Sequence, residues 1–280
     1  MPEGPEVDSI VRILNSQVSG ATISNLEVFS HKIGLKDRTA DLIGRKIQQV
    51  ERKGKWLVFG LDSVVLLVHL RMTGKFLFEP HEKQKPLVVF HFQDESKLFY
   101  CDPRGFGRML VQPMNGFREL SPYNDIGPDP LKDEVTVEYL LGRTQRSSMP
   151  IKTFLLDQKI VCAIGNIYAS EILFDCQVHP QTKANQLAYI DVQKLVDSTR
   201  AILKKAAAAG GTSLVDFVLP NRADGEYQNY LKVYARKNKP CFRCNTPIEV
   251  LKFGGRSSFF CPVCQVRVQY DKTTKSDLAQ

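Results

Sequence analysis

The chain has 280 residues, 43% hydrophobic and 24% charged, with a formal net charge of +8. That length supports two domains with separate cores. No apolar run reaches the roughly 20 residues of a membrane-spanning helix, and the acidic start MPEGPEVDSI lacks the basic n-region of a secretory signal, so an intracellular protein with no membrane role is expected.

Residues 7–17 put Val7, Ile10, Val11 and Leu14 at helical spacing. Residues 64–70 and 75–78 are short apolar runs around the turn-like Met72-Thr73-Gly74. Residues 87–92 and 97–100 flank Gln93-Asp94-Glu95-Ser96, which predicts a hairpin. Such runs suit a sandwich of sheets. Residues 115–130 carry three Pro and two Gly and form the best linker candidate. Helical patterns follow over 135–141, 152–157, 166–175 and 191–209, the last ending at Gly210-Gly211 as a C-cap. Residues 227–234 lead back to β structure, and the polar tail 272–280 is expected to fray. The charge is uneven along the chain. Residues 1–140 hold 18 basic and 19 acidic side chains, and residues 141–280 hold 20 and 11. The second half therefore either meets a polyanion or carries a solvated basic face.

An odd count of seven cysteines with no export signal argues against a disulfide framework. Cys101, Cys162 and Cys176 are scattered and read as small buried residues. The pairs Cys241-x2-Cys244 and Cys261-x2-Cys264 stand 16 residues apart, a spacing that closes a tetrahedral thiolate site for one Zn²⁺. Residues 248–253 and 257–260 flank Gly254-Gly255 as a zinc-ribbon hairpin. Four protein thiolates leave no open position, so the metal is expected to be structural. A redox dithiol is the rival reading. Arg256, beside the Gly-Gly turn, is placed to be presented to DNA.

Pro2 follows a Met of the kind commonly removed, which leaves a secondary amine. An α-amino group titrates near about 7.7–8.0, against about 10.4 for lysine, so part of it is neutral and nucleophilic at pH 7. Such an amine can attack a sugar C1′ and form an iminium, with Glu3 beside it as a general acid. An MP- start is by itself a weak signal.

MPEGPEV resembles the opening of bacterial formamidopyrimidine-DNA glycosylases. Arg52-Lys53-Gly54-Lys55, His69-Leu70-Arg71-Met72-Thr73-Gly74, Asp102-Pro103-Arg104-Gly105-Phe106-Gly107 and Gly127-Pro128-Asp129-Pro130-Leu131 are similar to that family's signatures. So are Ile164-Gly165-Asn166-Ile167-Tyr168-Ala169-Ser170-Glu171, Gly210-Gly211-Thr212-Ser213-Leu214 and Val233-Tyr234-Ala235-Arg236-Lys237. They stand in the family's order over nearly the whole chain.

The resemblance implies an α+β multidomain fold. An N-terminal β-sandwich flanked by helices would occupy 1–115, a linker 116–130, a helix–two-turn–helix domain 131–235 and a four-cysteine zinc-finger hairpin 236–270. Damaged double-stranded DNA would lie between the domains with the damaged nucleotide flipped out of the stack. The implied activity is excision of oxidised purines such as 8-oxoguanine and formamidopyrimidines in base excision repair, then β- and δ-elimination at the abasic site.

The implied catalytic group is Pro2, Glu3, Lys55 and Arg256. Pro2 is the nucleophile and Schiff-base former, and Glu3 the acid that protonates the sugar. Lys55 holds phosphate near the lesion and assists elimination, and Arg256 binds phosphate. The implied DNA-binding group is His69, Met72, Lys85, Arg104, Phe106, Lys152 and Asn166. Within it Met72, Arg104 and Phe106 fill the hole left by the extruded base, Asn166 binds phosphate at a helix start, and residues 221–229 lie where the family has a mobile loop over the lesion. On spacing alone Met72 and Phe106 read as core, His69 as a buried strand histidine and Lys55 as an exposed strand-end lysine. Neither a nucleotide cofactor nor an oligomer is expected.

The chain departs from the family at several positions. Gly4 stands in place of Leu and is more similar to the sister endonuclease VIII group. Gly105 replaces a basic residue, Lys85 a DNA-contacting His, and Ala163 and Ala235 common glycines. The lesion preference is therefore open between oxidised purines and oxidised pyrimidines. A catalytically inactive DNA-binding zinc protein is the alternative of another class. A structural zinc protein of the translation machinery fits the charge but leaves the N-terminal half unexplained.

Overall fold

The computed structural model describes residues 1–80, 84–214 and 217–266. The expectation for the tail 272–280 lies outside these residues. The chain forms two compact units. One comprises residues 1–127 with 204–229, the other residues 128–203 with the chain from 230 onward.

The first unit opens on α1 (Gly4–Val18). Glu3 and Glu6 form a reciprocal capping box at its start, and Pro5 sits in the first turn, where a missing N–H costs nothing. Val7, Ile10, Leu14 and Val18 face inward. Two four-stranded antiparallel sheets follow. The first has the order β1 (Ile23–Val28), β6 (Val88–Phe92), β7 (Lys97–Cys101), β5 (Lys75–Leu77). The second has the order β2 (Ile47–Lys53), β3 (Trp56–Leu61), β4 (Val64–His69), β8 (Arg108–Pro113). Phe59, Leu66 and Val68 of the second sheet share one core with Phe76, Phe90 and Tyr100 of the first, and the Phe59 and Phe76 rings meet edge to face at 5.6 Å. On the other face of the second sheet Val58, Val65 and Leu67 pack with Phe117. β4 is thus buried on both sides, which is why residues 64–70 read as a continuous apolar run rather than an alternation.

The expected hairpin over 87–100 is present as β6 paired with β7. The two runs around Met72-Thr73-Gly74 belong to different sheets, so that turn carries the chain from one layer to the other. β7 returns to β8 through Asp102-Pro103-Arg104-Gly105-Phe106-Gly107. Because β4 neighbours β8 and β5 neighbours β7, the two sheet-crossing segments run side by side.

The second unit contains α2 (Val137–Thr144), α3 (Ile151–Leu156) and α4 (Asn166–Asp175), part of α5 (Tyr189–Ala208), and a hairpin of β9 (Glu249–Phe253) and β10 (Arg256–Phe260). The Thr136 side chain caps α2 by accepting from the Tyr139 N–H. In α4 Tyr168, Ala169, Ile172, Leu173 and Phe174 are all buried, so this helix has no polar face. Gly254 and Gly255 have φ of 57° and 71°, as a two-residue type I′ hairpin loop demands at both positions. The architecture is the expected one: β-sandwich with a flanking helix, a helical region, and a cysteine-bearing hairpin.

Ala163 and Ala235, the two alanines at expected glycine positions, both adopt left-handed backbone, with φ of 71° and 58°. That conformation costs a non-glycine residue about 1–2 kcal/mol. Ala235 is exposed, so Ala235→Gly should raise stability by about 1 kcal/mol. Ala163 is fully buried. Removing its methyl forfeits about 0.8 kcal/mol of burial, so Ala163→Gly should be close to neutral. Urea midpoints of the two variants check this, and equal shifts would contradict it.

Candidate active site and nucleic-acid interface

The N-terminal segment is fixed from within the first unit. Pro2 is buried beneath an exposed Met1, and Glu3 is only 3% exposed. The Glu3 N–H donates to Glu6 Oε2 at 2.8 Å. Glu6 Oε1 accepts the Thr212 N–H at 2.7 Å. One buried carboxylate therefore ties the start of the chain to the segment after Gly210-Gly211. Gly211 is required there, because a Cβ would lie 2.8 Å from Glu6 Oε1. Glu6 was not singled out from sequence, although the Glu-x-x-Glu spacing at a helix start was the available signal.

Lys55 occupies the β2–β3 loop with Gly54, between the paired Lys53 and Trp56. Gly54 has φ 59°, the positive value a tight hairpin loop needs at its first position. Arg52 stiffens this loop: its Nη1 donates to the Gly54 carbonyl at 2.9 Å, and its Nε lies 3.4 Å from Asp8. Lys55 is 5% exposed, unlike an ordinary strand-end lysine.

His69 ends β4 opposite Trp56 on one side and Arg108 on the other, with the Trp56 ring edge-on at 4.9 Å. Its Nδ1 accepts the Arg71 N–H at 3.0 Å, so the neutral ring carries its proton on Nε2. Burial first, then the charges of Arg71, Lys55 and Arg108, hold its pKa down at about 3 against the usual 6.5. A depressed folded pKa removes stability as pH falls below the unfolded value. The penalty should begin near pH 6.5 and reach about 2 kcal/mol at pH 5. His69→Asn should flatten that part of the stability profile. Parallel urea-unfolding profiles of both proteins between pH 7.5 and 5 would show that His69 is not the titrating group.

The two sheet-crossing segments carry Met72, Arg104 and Phe106. Met72 is 44% and Phe106 54% exposed, so neither belongs to the core that spacing alone suggests. The Arg104 guanidinium lies over the Phe106 ring, 4.7 Å from its centroid. Gly105 between them has φ 62° with no atom within 4 Å of where a Cβ would stand. Lys85 is exposed ahead of β6. The segment 221–229 is tied down by Gly225 N–H to Ser213 Oγ, by Ser213 N–H to Gln228 Oε1, and by the Arg222 guanidinium to the Glu79 carbonyl.

In the second unit Asn166 opens α4 behind Gly165, which contributes no side-chain cap. A helix start carries a partial positive charge that favours an anion. Arg256 is exposed at the start of β10, and a surface depression beside it is lined by Lys152, Thr153, Asp157 and Gly254. Lys152 differs from a surface contact. It is 1% exposed, and its ammonium donates to Ser170 Oγ at 3.1 Å and the Ser257 carbonyl at 3.0 Å. It joins α3, α4 and the residue next to Arg256, so its first effect is to place the hairpin. Glu171 was also missed from sequence. It is 3% exposed and accepts the N–H groups of Lys232, Val233 and Tyr234. Burial pushes its carboxyl above the usual range against the pull of those donors.

Cys241, Cys244, Cys261 and Cys264 bring their four Sγ atoms within 4.8 Å of one another, with separations of 3.4–3.9 Å among the closer pairs. Thiolates at about 2.3 Å from a tetrahedral zinc stand about 3.8 Å apart, so this donor set fits one Zn²⁺ with no position left open.

Comparison with known proteins agrees along nearly the whole chain. Residues 1–109 match the formamidopyrimidine-DNA glycosylase N-terminal domain, residues 126–218 the H2TH domain of the same glycosylase, and residues 238–266 a zinc finger found in FPG and IleRS. The formamidopyrimidine-DNA glycosylase of Listeria innocua is 38% identical over 272 residues, covering 95% of this chain and all of that protein. A Lactococcus lactis FPG variant in complex with Fapy-dG-containing DNA superposes with a TM-score of 0.88 at 33% identity, covering 94% of this chain and 99% of that one. The Lactococcus lactis Fpg in complex with abasic-site DNA gives 0.87 at 33% identity, with the same coverage.

Proposed function

The chain belongs to the formamidopyrimidine-DNA glycosylase family, a family of base-excision-repair DNA glycosylases, and from that premise we propose that it excises oxidised purines from duplex DNA and then nicks the strand through a Schiff base on Pro2. The observation that carries this reading is the buried Pro2-Glu3 start, held in one position by Glu6. A nucleophile and acid fixed in place contribute to rate because their freedom is lost at folding rather than at reaction.

In this reading the Pro2 nitrogen attacks C1′ as Glu3 protonates the sugar oxygen, and the base departs. The resulting iminium acidifies the C2′ protons. Elimination then expels the 3′-phosphate and afterwards the 5′-phosphate, and Lys55 holds the phosphate that leaves. His69, neutral with Nε2–H as its donor, suits a phosphate oxygen without bringing a charge. Met72, Arg104 and Phe106 replace the extruded base. Asn166 and Arg256 bind phosphate from the second unit, and zinc holds the hairpin that carries Arg256. Relatives that bind Fapy-dG and abasic-site DNA support this assignment.

Gly4, the residue shared with the endonuclease VIII group, keeps oxidised pyrimidines as the second reading. A panel of duplexes separates the two. Release of 8-oxoguanine and formamidopyrimidine with strand nicking is expected. Sole activity on thymine glycol or dihydrouracil would reassign the lesion, and DNA binding without any trapped intermediate under borohydride would remove the catalytic reading.

A further inference from the structure

Beneath the exposed wedges lies a buried polar cluster to which the proposed chemistry assigns no task. Asp102 is 2% exposed. Its Oδ1 accepts the Thr73 hydroxyl at 2.5 Å, across from the other sheet-crossing segment. Its Oδ2 accepts the Gly107 N–H at 2.7 Å, and its carbonyl accepts the Gly105 N–H at 3.0 Å. One carboxylate therefore closes its own loop, which bears Arg104 and Phe106, and fastens that loop to the one bearing Met72.

Tyr100 completes the cluster. It is fully buried, and its hydroxyl has no hydrogen-bond partner among the described residues. Its burial and the nearby Asp102 charge push the phenol far above its usual range, so it stays protonated. The value of this hydroxyl is spatial. A Cβ on Gly74 would stand 2.3 Å from it, and one on Gly107 1.8 Å. Tyr100 thus fills the space under both crossing segments at once, and the two glycines let the backbones close on it.

We propose that Tyr100, Asp102 and Thr73 form a buried anchor that locks the two crossing segments at one spacing, so that Met72, Arg104 and Phe106 enter the duplex as a single rigid wedge. These three are positioning residues for base extrusion, and the proposal rests on the wedge reading given above. A misplacement near 1 Å is enough to cost about a hundredfold in rate, and the anchor suppresses that freedom while touching no DNA.

The test is Thr73→Val, which keeps the shape and removes only the hydroxyl that meets Asp102. Excision from an 8-oxoguanine duplex should fall about tenfold or more. Borohydride trapping on a single-stranded abasic oligonucleotide, where no stacked base must be displaced, should be unchanged. The fluorescence rise of a 2-aminopurine placed opposite the lesion should shrink in parallel with the duplex rate, and Thr73→Ser should restore both. Should Thr73→Val fail to fold, Asp102→Asn is expected to give the same split. Equal loss on both substrates, no loss on either, or no rescue by serine would each overturn the anchor. A wild-type protein that traps neither substrate would instead remove the catalytic reading itself, and the anchor with it.

Discussion

Extending the chain ahead of Pro2, or retaining Met1, should abolish both base release and borohydride trapping while leaving DNA affinity and thermal stability nearly unchanged. An acylated proline nitrogen has its lone pair delocalised into an amide and cannot attack C1′. Removing the nucleophile from a covalent mechanism costs on the order of 10³-fold or more. Stability is spared because the capping box uses the Glu3 N–H and the two carboxylates, not the Pro2 nitrogen, and because Met1 already points to solvent. Trapping and nicking are read on an abasic duplex and affinity by anisotropy. A tagged protein that nicks at the untagged rate would assign the covalent step to another amine.

Withdrawing zinc should have the second large effect. The core around the hairpin is small: Cys241, Ile248 and Cys261 pack with Phe174 of α4 and with Val233. So small a core does not offset the conformational entropy lost on ordering the segment, so the hairpin depends on its metal and on its docking to α4. A four-thiolate zinc site contributes about 10–16 kcal/mol. Chelation, or Cys261→Ser, should therefore melt the 238–266 segment, release Arg256, and weaken binding to lesion DNA by at least about tenfold, with recovery on zinc but not magnesium. Elemental analysis should return one zinc per chain. Full DNA affinity in zinc-free protein would separate the hairpin from recognition.

Several features of the site were legible without coordinates because their signals are local. Two CxxC pairs can serve few purposes at that spacing. The Gly254-Gly255 turn admits few residue types, and the helical periodicity over 191–209 persists long enough to be unambiguous. The strands β1, β2, β3 and β8 were not picked out. β2 in particular reads IQQVERK, with two adjacent exposed glutamines, and shows no clean alternation. Its strand state is settled by pairing with β3 and by α1 packed over it.

Side-chain roles divided in the same way. Met72 and Phe106 have core residue types at core-like spacing, and only the layer-to-layer crossings turn them outward. Lys152 has a surface residue type, and only the meeting of α3, α4 and β10 encloses its ammonium. Glu6, Asp102 and Glu171 each also accept from groups far away in sequence, at Thr212, at Thr73 and at 232–234 respectively, and nothing local marks those distant partners. By itself the sequence pointed to the helices, to the β6–β7 and β9–β10 hairpins and to the clustered cysteines, and through its family resemblance to the Pro2-Glu3 start, because each depends on residues within a few positions or on a short fixed motif. The tertiary structure alone decided that residues 204–229 return to the first unit, that Glu6 meets Thr212 across 206 positions, and that two crossings lie side by side over Tyr100. Those are encounters between distant segments, set by sheet order and packing, which no pattern along the chain encodes.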